Sequence, residues 1–389
     1  MKTKLTILLT GGRAPATLDM CRYLHRLGHR VLVAESQAQH LCLTSRAVAR
    51  AFAVTAPNQD LARFVADLEE IIRAEKVDLL IPTCEEVFAI SRGLPTLSQA
   101  TRVLGDSIDV LDRLHNKWEF NQRATAHGLG VPKSQVASSM DELTQLAGSR
   151  RPLVIKPAYS RFASKTLILH EGDPLPLLAD IRPSYPYVIQ EFMAGQEYCT
   201  YGVCQSGELL AHAIYSHDFT AGKGAGICFE AIEKPAILAW VREFVKREKF
   251  TGQIAFDFIE SAPGQVCALE CNPRTTSGVH LFAPDDRLDL RWLGQSTEFV
   301  QPKPGSLGRI GLAMWLYGLP SVRTWSTLAN WIRIMLRARE VVFDFADPLP
   351  FFHQFYCYFS FWRQSVRLGI PILEASTHDI EWNGNRKAE

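Results

Sequence analysis

Two stretches decide the fold: Ile254-Ala255-Phe256-Asp257-Phe258-Ile259 and Cys267-Ala268-Leu269-Glu270-Cys271-Asn272-Pro273-Arg274. Each reads as an apolar β-strand interrupted by one acid. A carboxylate inside such a strand is costly unless a partner compensates it. Strand side chains alternate, so Glu270 and Asn272 share a face, and Arg274 continues it. Asp257, Glu270 and Asn272 offer hard oxygen ligands with no His or Cys among them. That set suits Mg²⁺ held partly through nucleotide phosphates. Arg274 can neutralise a phosphate or carboxylate in a forked geometry. The competing reading is a structural ion pair between Arg274 and one of the acids.

Two lysines lie upstream. Lys156 ends the apolar strand Val154-Ile155-Lys156-Pro157, and Lys117 sits in His115-Asn116-Lys117-Trp118. Either alone means little. Beside a buried acidic pair they suggest two cations gripping an oligophosphate. Between them and the acids runs Val188-Ile189-Gln190-Glu191-Phe192-Met193-Ala194-Gly195-Gln196-Glu197. A strand running into Gly195 can offer backbone groups to an adenine edge, with Glu197 accepting from a ribose hydroxyl.

Working outward, the first third alternates strands (Leu5–Leu9, Arg30–Ala34, Phe52–Val54, Leu79–Ile81) with helical periodicity over about 16–27 and 61–75. This alternation implies a parallel, doubly wound sheet. The turn Gly11-Gly12-Arg13 is not a G-x-G-x-x-G fingerprint, which argues against a nicotinamide cofactor. Residues 109–130 read as helical. Strands then dominate (153–156, 167–169, 187–192, 198–204, 209–214, 252–259, 265–270), with one helix over about 235–248. The region after about 300 leans helical and is rich in aromatics.

Composition sets the outer limits. The 389 residues suggest two or three domains, and 47% hydrophobic residues supply a large core. A net charge of +1 gives no push towards nucleic acid or anionic membrane. Nine cysteines with no Cys-x-x-Cys argue for reduced thiols in a cytoplasmic protein. No stretch of eighteen apolar residues occurs, so no integral membrane association is expected.

The ordered set (Lys117 before a helix, Ile-Lys-Pro, Gln-Glu-Phe-Met-x-Gly-x-Glu, Phe-Asp-Phe, Leu-Glu-x-Asn-Pro-Arg) resembles the ATP-grasp superfamily over roughly residues 5–285. The resemblance implies an α/β plus α+β architecture. A Rossmann-like domain would occupy 1–110 and an ATP-grasp domain 111–300, with a small lid subdomain at about 131–190; a helix-leaning extension would follow over 301–389. It implies that Lys117 and Lys156 contact ATP phosphates and that Gln190, Glu191, Phe192, Met193 and Ala194 form the adenine hinge. Glu197 would hold ribose. Asp257, Glu270 and Asn272 would bind two Mg²⁺ ions, with Mn²⁺ as a substitute. Arg274 and Lys156 would act in catalysis. The implied activity is a carboxylate–amine ligase: a small acid is activated as an acyl phosphate and joined to an amine, releasing ADP and phosphate.

One departure stands out. Members often carry a glycine-rich lid after the Lys-Pro, but Ala158-Tyr159-Ser160-Arg161-Phe162-Ala163-Ser164-Lys165 has no glycine. Ser160, Arg161, Ser164 and Lys165 are the side-chain donors that can replace it. The loop Ala221-Gly222-Lys223-Gly224-Ala225-Gly226 can close over an acceptor or be a plain hairpin connection. Glu85 and Glu86, after the strand Leu79–Ile81, can hold an ammonium group or simply cap a helix. Arg13 and His280 are lesser substrate candidates. Alternative readings keep the nucleotide site but not the condensation: a small-molecule kinase, or an inactive nucleotide-binding regulatory protein. A basic amphipathic stretch near Trp325–Arg339 raises peripheral membrane contact as a further class. Residues 301–389 would complete an acceptor pocket or a homodimer face.

Overall fold

The computed structural model describes residues 4–148, 152–161, 165–222 and 224–384. Ser164 of the lid and Lys223 of the glycine loop lie outside them.

The N-terminal strands β1 (Thr6–Thr10), β2 (Arg30–Glu35), β3 (Arg50–Ala53), β4 (Leu79–Ile81) and β5 (Arg102–Val103) form a parallel sheet in the order β3-β2-β1-β4-β5. Their near-continuous apolar runs suit strands covered on both faces. The helices Pro15–Arg26 and Leu61–Glu75 bury Leu18 and Leu24, and Phe64 and Leu68, against them. The loops after β1 and β4 meet at the carboxyl edge, where open sheets of this kind bind ligands.

The helical stretch expected over 109–130 is two helices, Ile108–His115 and Lys117–Ala126. Asn116 causes the break: its side-chain oxygen accepts the N–H groups of Trp118 and Glu119, capping the second helix. Lys117 is thereby fixed at that helix's first position.

A four-stranded antiparallel sheet follows, β6 (Ser134–Ala137), β7 (Leu153–Pro157), β8 (Leu167–Leu169) and β9 (Tyr187–Glu191), in the order β6-β9-β7-β8. The larger sheet contains β10 (Gln196–Gln205), β11 (Glu208–Ser216), β14 (Cys228–Ala231), β15 (Gly252–Ala262) and β16 (Gln265–Asn272). The short ladder β12 (Thr220–Ala221) with β13 (Ala225–Gly226) stands beside it. The region after 300 is not separate from this sheet. It adds β17 (Leu307–Arg309) and β18 (Arg339–Glu340), giving the order β16-β15-β10-β11-β14-β17-β18. The helix Pro235–Glu248 packs Trp240 and Phe244 on Phe256 of β15 at ring separations of 5.3 and 5.4 Å. No helix among the described residues is long and apolar enough to cross a membrane.

Candidate active site

The register of β15 and β16 sets the centre. Asp257 stands opposite Glu270, and Ala255 opposite Asn272. Phe256 and Phe258 point into the core against Trp240, so alternation turns Asp257 to the other face. Asn272 donates to Glu270 at 3.4 Å, and Arg274 donates to Asn272 at 3.2 Å. The three oxygen-bearing side chains and Arg274 therefore converge.

Both lysines reach this cluster. Lys117, buried, lies 3.4 Å from Glu270 and donates to the Ser160 carbonyl at 2.9 Å. Lys156, also buried, donates to the Leu269 carbonyl at 3.2 Å. Burial lowers the Lys156 ammonium to about 8, and the charge of Lys117 adds to the fall while Glu270 opposes it. The two acids are driven apart. Burial, and then the charge of Glu270, push Asp257 up to about 7. Burial also acts to raise Glu270, but Lys117 and Lys156 overcome it and hold that carboxyl at about 2. The pair titrates as a unit, with one proton readily held between the carboxyls. No third His, Cys, Asp or Glu joins them in a metal-type cluster among the described residues. A cation here needs more oxygens than the protein supplies, the expected situation when phosphates complete the shell.

The hinge segment lies at the end of β9. Gln190 is buried and donates to Ser134 at 3.2 Å, and Glu191 accepts the Lys133 N–H at 2.8 Å. Phe192 and Met193 are half-buried, while Ala194 and Glu197 are exposed. Gly195 passes so close to β15 that a Cβ would collide with the carbonyl of Glu260.

The substrate candidates behave differently from one another. Glu85 is 3% exposed, and its Oε1 has no hydrogen-bond partner among the described residues. Arg274 lies 3.9 Å from it, and Arg161 pairs with the other oxygen at 3.2 Å. Glu86 instead accepts from the Thr10 hydroxyl and the N–H groups of Thr83 and Cys84, at 2.6, 3.1 and 3.0 Å, so it fixes the two loops to each other. Arg13 uses all its N–H donors on Glu35, Ser36, Asp379 and the Ser376 carbonyl. It is an internal lock with nothing left for a ligand. His280 bonds Asp19 at 2.8 Å and stacks on Phe229, outside the Asp257–Glu270 cluster. Lys165, just before β8, pairs with Asp180 at 2.9 Å. Gly224 lies exposed in the turn between β12 and β13.

Sequence reasoning missed Glu381 and Trp382, which close the far end, and read Arg161 as a lid donor to phosphate. Arg161 pairs with Glu381 as well as Glu85, both at 3.2 Å. Trp382 donates its indole N–H to Asp112 at 2.6 Å and its backbone N–H to Glu85 at 3.3 Å, and stacks on Phe88 at 5.5 Å. A polar chain thus runs Glu270, Asn272, Arg274, Glu85, Arg161, Glu381. His115 was also missed: burial beside Lys117 and Arg274 holds its imidazole well below the usual range, and its Nε2 lacks a partner among the described residues. Its place next to Asn116-Lys117 was the only signal.

No family model matches the sequence. Among curated proteins, the C-terminal section of the carbamoyl phosphate synthase large chain of Methanopyrus kandleri is 22% identical over 240 residues, 58% of this chain and 44% of that protein. The arginine-specific large chain of Bacillus subtilis is 23% identical over 219 residues, 54% of this chain and 21% of that protein. The chain spans less than half the length of these relatives. Among solved structures, an L-amino acid ligase from Bacillus licheniformis superposes with a TM-score of 0.60 at 15% identity, covering 79% of both chains. An N5-carboxyaminoimidazole synthetase from Staphylococcus aureus, complexed with ADP, gives 0.61 at 14% identity, covering 78% of this chain and 80% of that one. The chain carries the ATP-grasp fold. In ATP-grasp terms, β6–β9 make the smaller α+β layer and β10–β16 the larger. The Asp257–Glu270 cluster lies on the larger layer, and Lys156 reaches it from the smaller.

Proposed function

We propose that this chain uses Mg²⁺ and ATP to activate a small carboxylic acid as an acyl phosphate and transfers the acyl group to an amine. The observation that carries the reading is the convergence of Asp257, Glu270 and Asn272 opposite Lys117 and Lys156. A carboxylate oxygen of the acid attacks the γ-phosphorus and the bond to ADP breaks. The amine nitrogen then attacks the acyl carbon, and inorganic phosphate leaves with the former carboxylate oxygen. Positioning and charge neutralisation supply most of the acceleration in such chemistry.

The chain's own residues divide this work. Lys117 and Lys156 lie against the phosphates, and Gln190, Glu191, Phe192, Met193, Ala194 and Glu197 hold the adenosine. Asp257, Glu270 and Asn272 hold two Mg²⁺ ions, or Mn²⁺ in their place, which offset phosphate charge. Arg274 faces the transferring group. Glu85, whose buried Oε1 lacks a hydrogen-bond partner among the described residues, takes an ammonium group of a substrate. All nine cysteines are free thiols, which supports a cytoplasmic setting.

The test is an ADP-release screen of acids crossed with amines, with mass spectrometry of the products. Acid- and amine-dependent ADP release with a condensed product is expected. ADP with a phosphorylated acceptor and no condensation would make the protein a kinase. No ADP from any pair, with ATP still bound, would make it a nucleotide-binding regulator.

A further inference from the structure

The exposed large hydrophobic side chains are not scattered. Among the described residues, all except Leu43, Ile168 and Leu177 lie between Trp315 and Ile372. The helix Leu349–Leu368 buries Pro350, Gln354 and Cys357 on one side. Its other side presents Phe352, Phe355, Phe359, Trp362 and Val366 to solvent at helical spacing. A helix apolar all round is normally covered all round, and monomers rarely expose a patch this large.

The patch is continuous with its neighbours. Trp315 packs edge-on against Trp331 of the helix Trp325–Arg337 at 4.8 Å. Rings continue from Phe345 through Phe343 and Phe351 to Phe355, at 4.9, 5.4 and 6.2 Å. Trp325 is 87% exposed and Phe345 91%.

The two helices carry only positive charge, although Arg333 is paired with Asp218 and Glu230 and Asp344 with Arg26. Neither the helix Trp325–Arg337 nor the helix Leu349–Leu368 contains an acid. Arg323, Arg337, Arg363 and Arg367 are exposed, and none has an ion pair among the described residues. Arg363 and Arg367 also rim an open groove of about 800 Å³, with Tyr356 and Phe359 on their side and Gln37, Gln59 and Asp379 opposite, the last already clamped by Arg13. Pairing with a second copy across a twofold axis would set this basic rim against itself. Trp and Tyr rings sit at the headgroup level of a bilayer, arginine snorkels to its phosphates, and anionic lipid supplies the missing charge. We propose that the surface built from residues 315–372 seats the chain on an anionic lipid surface, lying on it without crossing, with a headgroup phosphate entering the groove at Arg363 and Arg367. This proposal is independent of the reaction assigned above.

The test is co-sedimentation of the full chain with phosphatidylglycerol vesicles, set against phosphatidylcholine vesicles, with sedimentation velocity of the lipid-free chain alongside. Most of the chain is expected to pellet with phosphatidylglycerol and to remain in solution with phosphatidylcholine. Arg363→Gln with Arg367→Gln should lower partitioning by about thirty-fold, at about fivefold per arginine near an anionic surface. Phe359→Ser with Trp362→Ser should lower it by about tenfold or more for each ring removed. The arginine pair is exposed, so its replacement leaves the fold intact and keeps the test clean. Failure to pellet with phosphatidylglycerol, or equal pelleting with both lipids, overturns the proposal. So does a lipid-free dimer that the Phe359→Ser, Trp362→Ser change dissociates, because the patch would then belong to a second copy.

Discussion

Asp257 and Asp379 are the same residue type, each set in a polar cluster, yet their carboxyls are pushed in opposite directions. Burial and the facing Glu270 raise Asp257 to about 7. Burial also acts to raise Asp379, but the hydrogen bond and charge of Arg13, with help from Ser36, bring it down to about 2. The difference lies in who neutralises the acid. Arg13 clamps Asp379 with two of its nitrogens, one at 2.8 Å. Asp257 has no ion pair of its own among the described residues and feels Arg274 only at a distance; Lys117 and Lys156 act first on Glu270. At one cluster the acid is locked by an internal arginine, and at the other it faces a second acid.

The largest effect that would break this comparison is on turnover. Glu270→Ala should reduce ADP release by at least about a thousand-fold, since it removes the group on which both lysines and the metal converge. Circular dichroism should be unchanged. Retained turnover with a competent acid and amine means that the cluster is not the reaction centre.

Next comes the arginine-locked cluster. Arg13→Gln leaves Glu35 and Asp379 buried without their cation and should cost about 3–5 kcal/mol in urea unfolding. A loss below 1 kcal/mol would make the lock ornamental.

Asp379→Asn sharpens the contrast through pH. Its folded carboxyl lies below the unfolded value, so the stabilisation is full above about pH 4 and disappears as pH falls through about 2. The substitution should cost on the order of 2 kcal/mol at pH 7 and almost nothing near pH 2. A cost independent of pH would show that packing, not charge, holds the residue.

Asp257→Asn should have the smallest effect on stability, and the opposite sign. A raised carboxyl favours the folded state fully below about pH 4, and that benefit is lost as pH rises through about 7. In metal-free buffer at pH 8 the amide should therefore stabilise the chain by on the order of 1 kcal/mol, with the gain vanishing near pH 4. Destabilisation at pH 8 would mean that Asp257 already has an internal partner.

The paired-acid cluster was legible in the sequence and the arginine-locked one was not, for physical reasons. An acid in an apolar strand is anomalous on its face, and period-two alternation puts Glu270 and Asn272 together without any tertiary knowledge. Lys156 at a strand end and Lys117 after a capping Asn are likewise local signals. The parallel N-terminal sheet was legible for the same reason, its strands being short apolar runs between helical stretches. Asp379, Glu381 and Trp382 offer no such clue, because an acid or tryptophan in a polar tail is unremarkable until its distant partners are known. β17 and β18 have three and two residues, too few to show alternation, so the region after 300 looked detached from a sheet it completes. Arg13 followed a glycine turn and looked available, and only the fold reveals that its donors are taken.

The stretch 376–384 has a temporal consequence. Asp379 meets Arg13 across 366 positions, and Trp382 meets Glu85 and Asp112 across 297 and 270. Contacts this remote form late in folding. On the ribosome, the two N-terminal loops and Arg161 wait through the synthesis of everything between for the segment that fastens them, while β15 and β16 can pair well before it emerges.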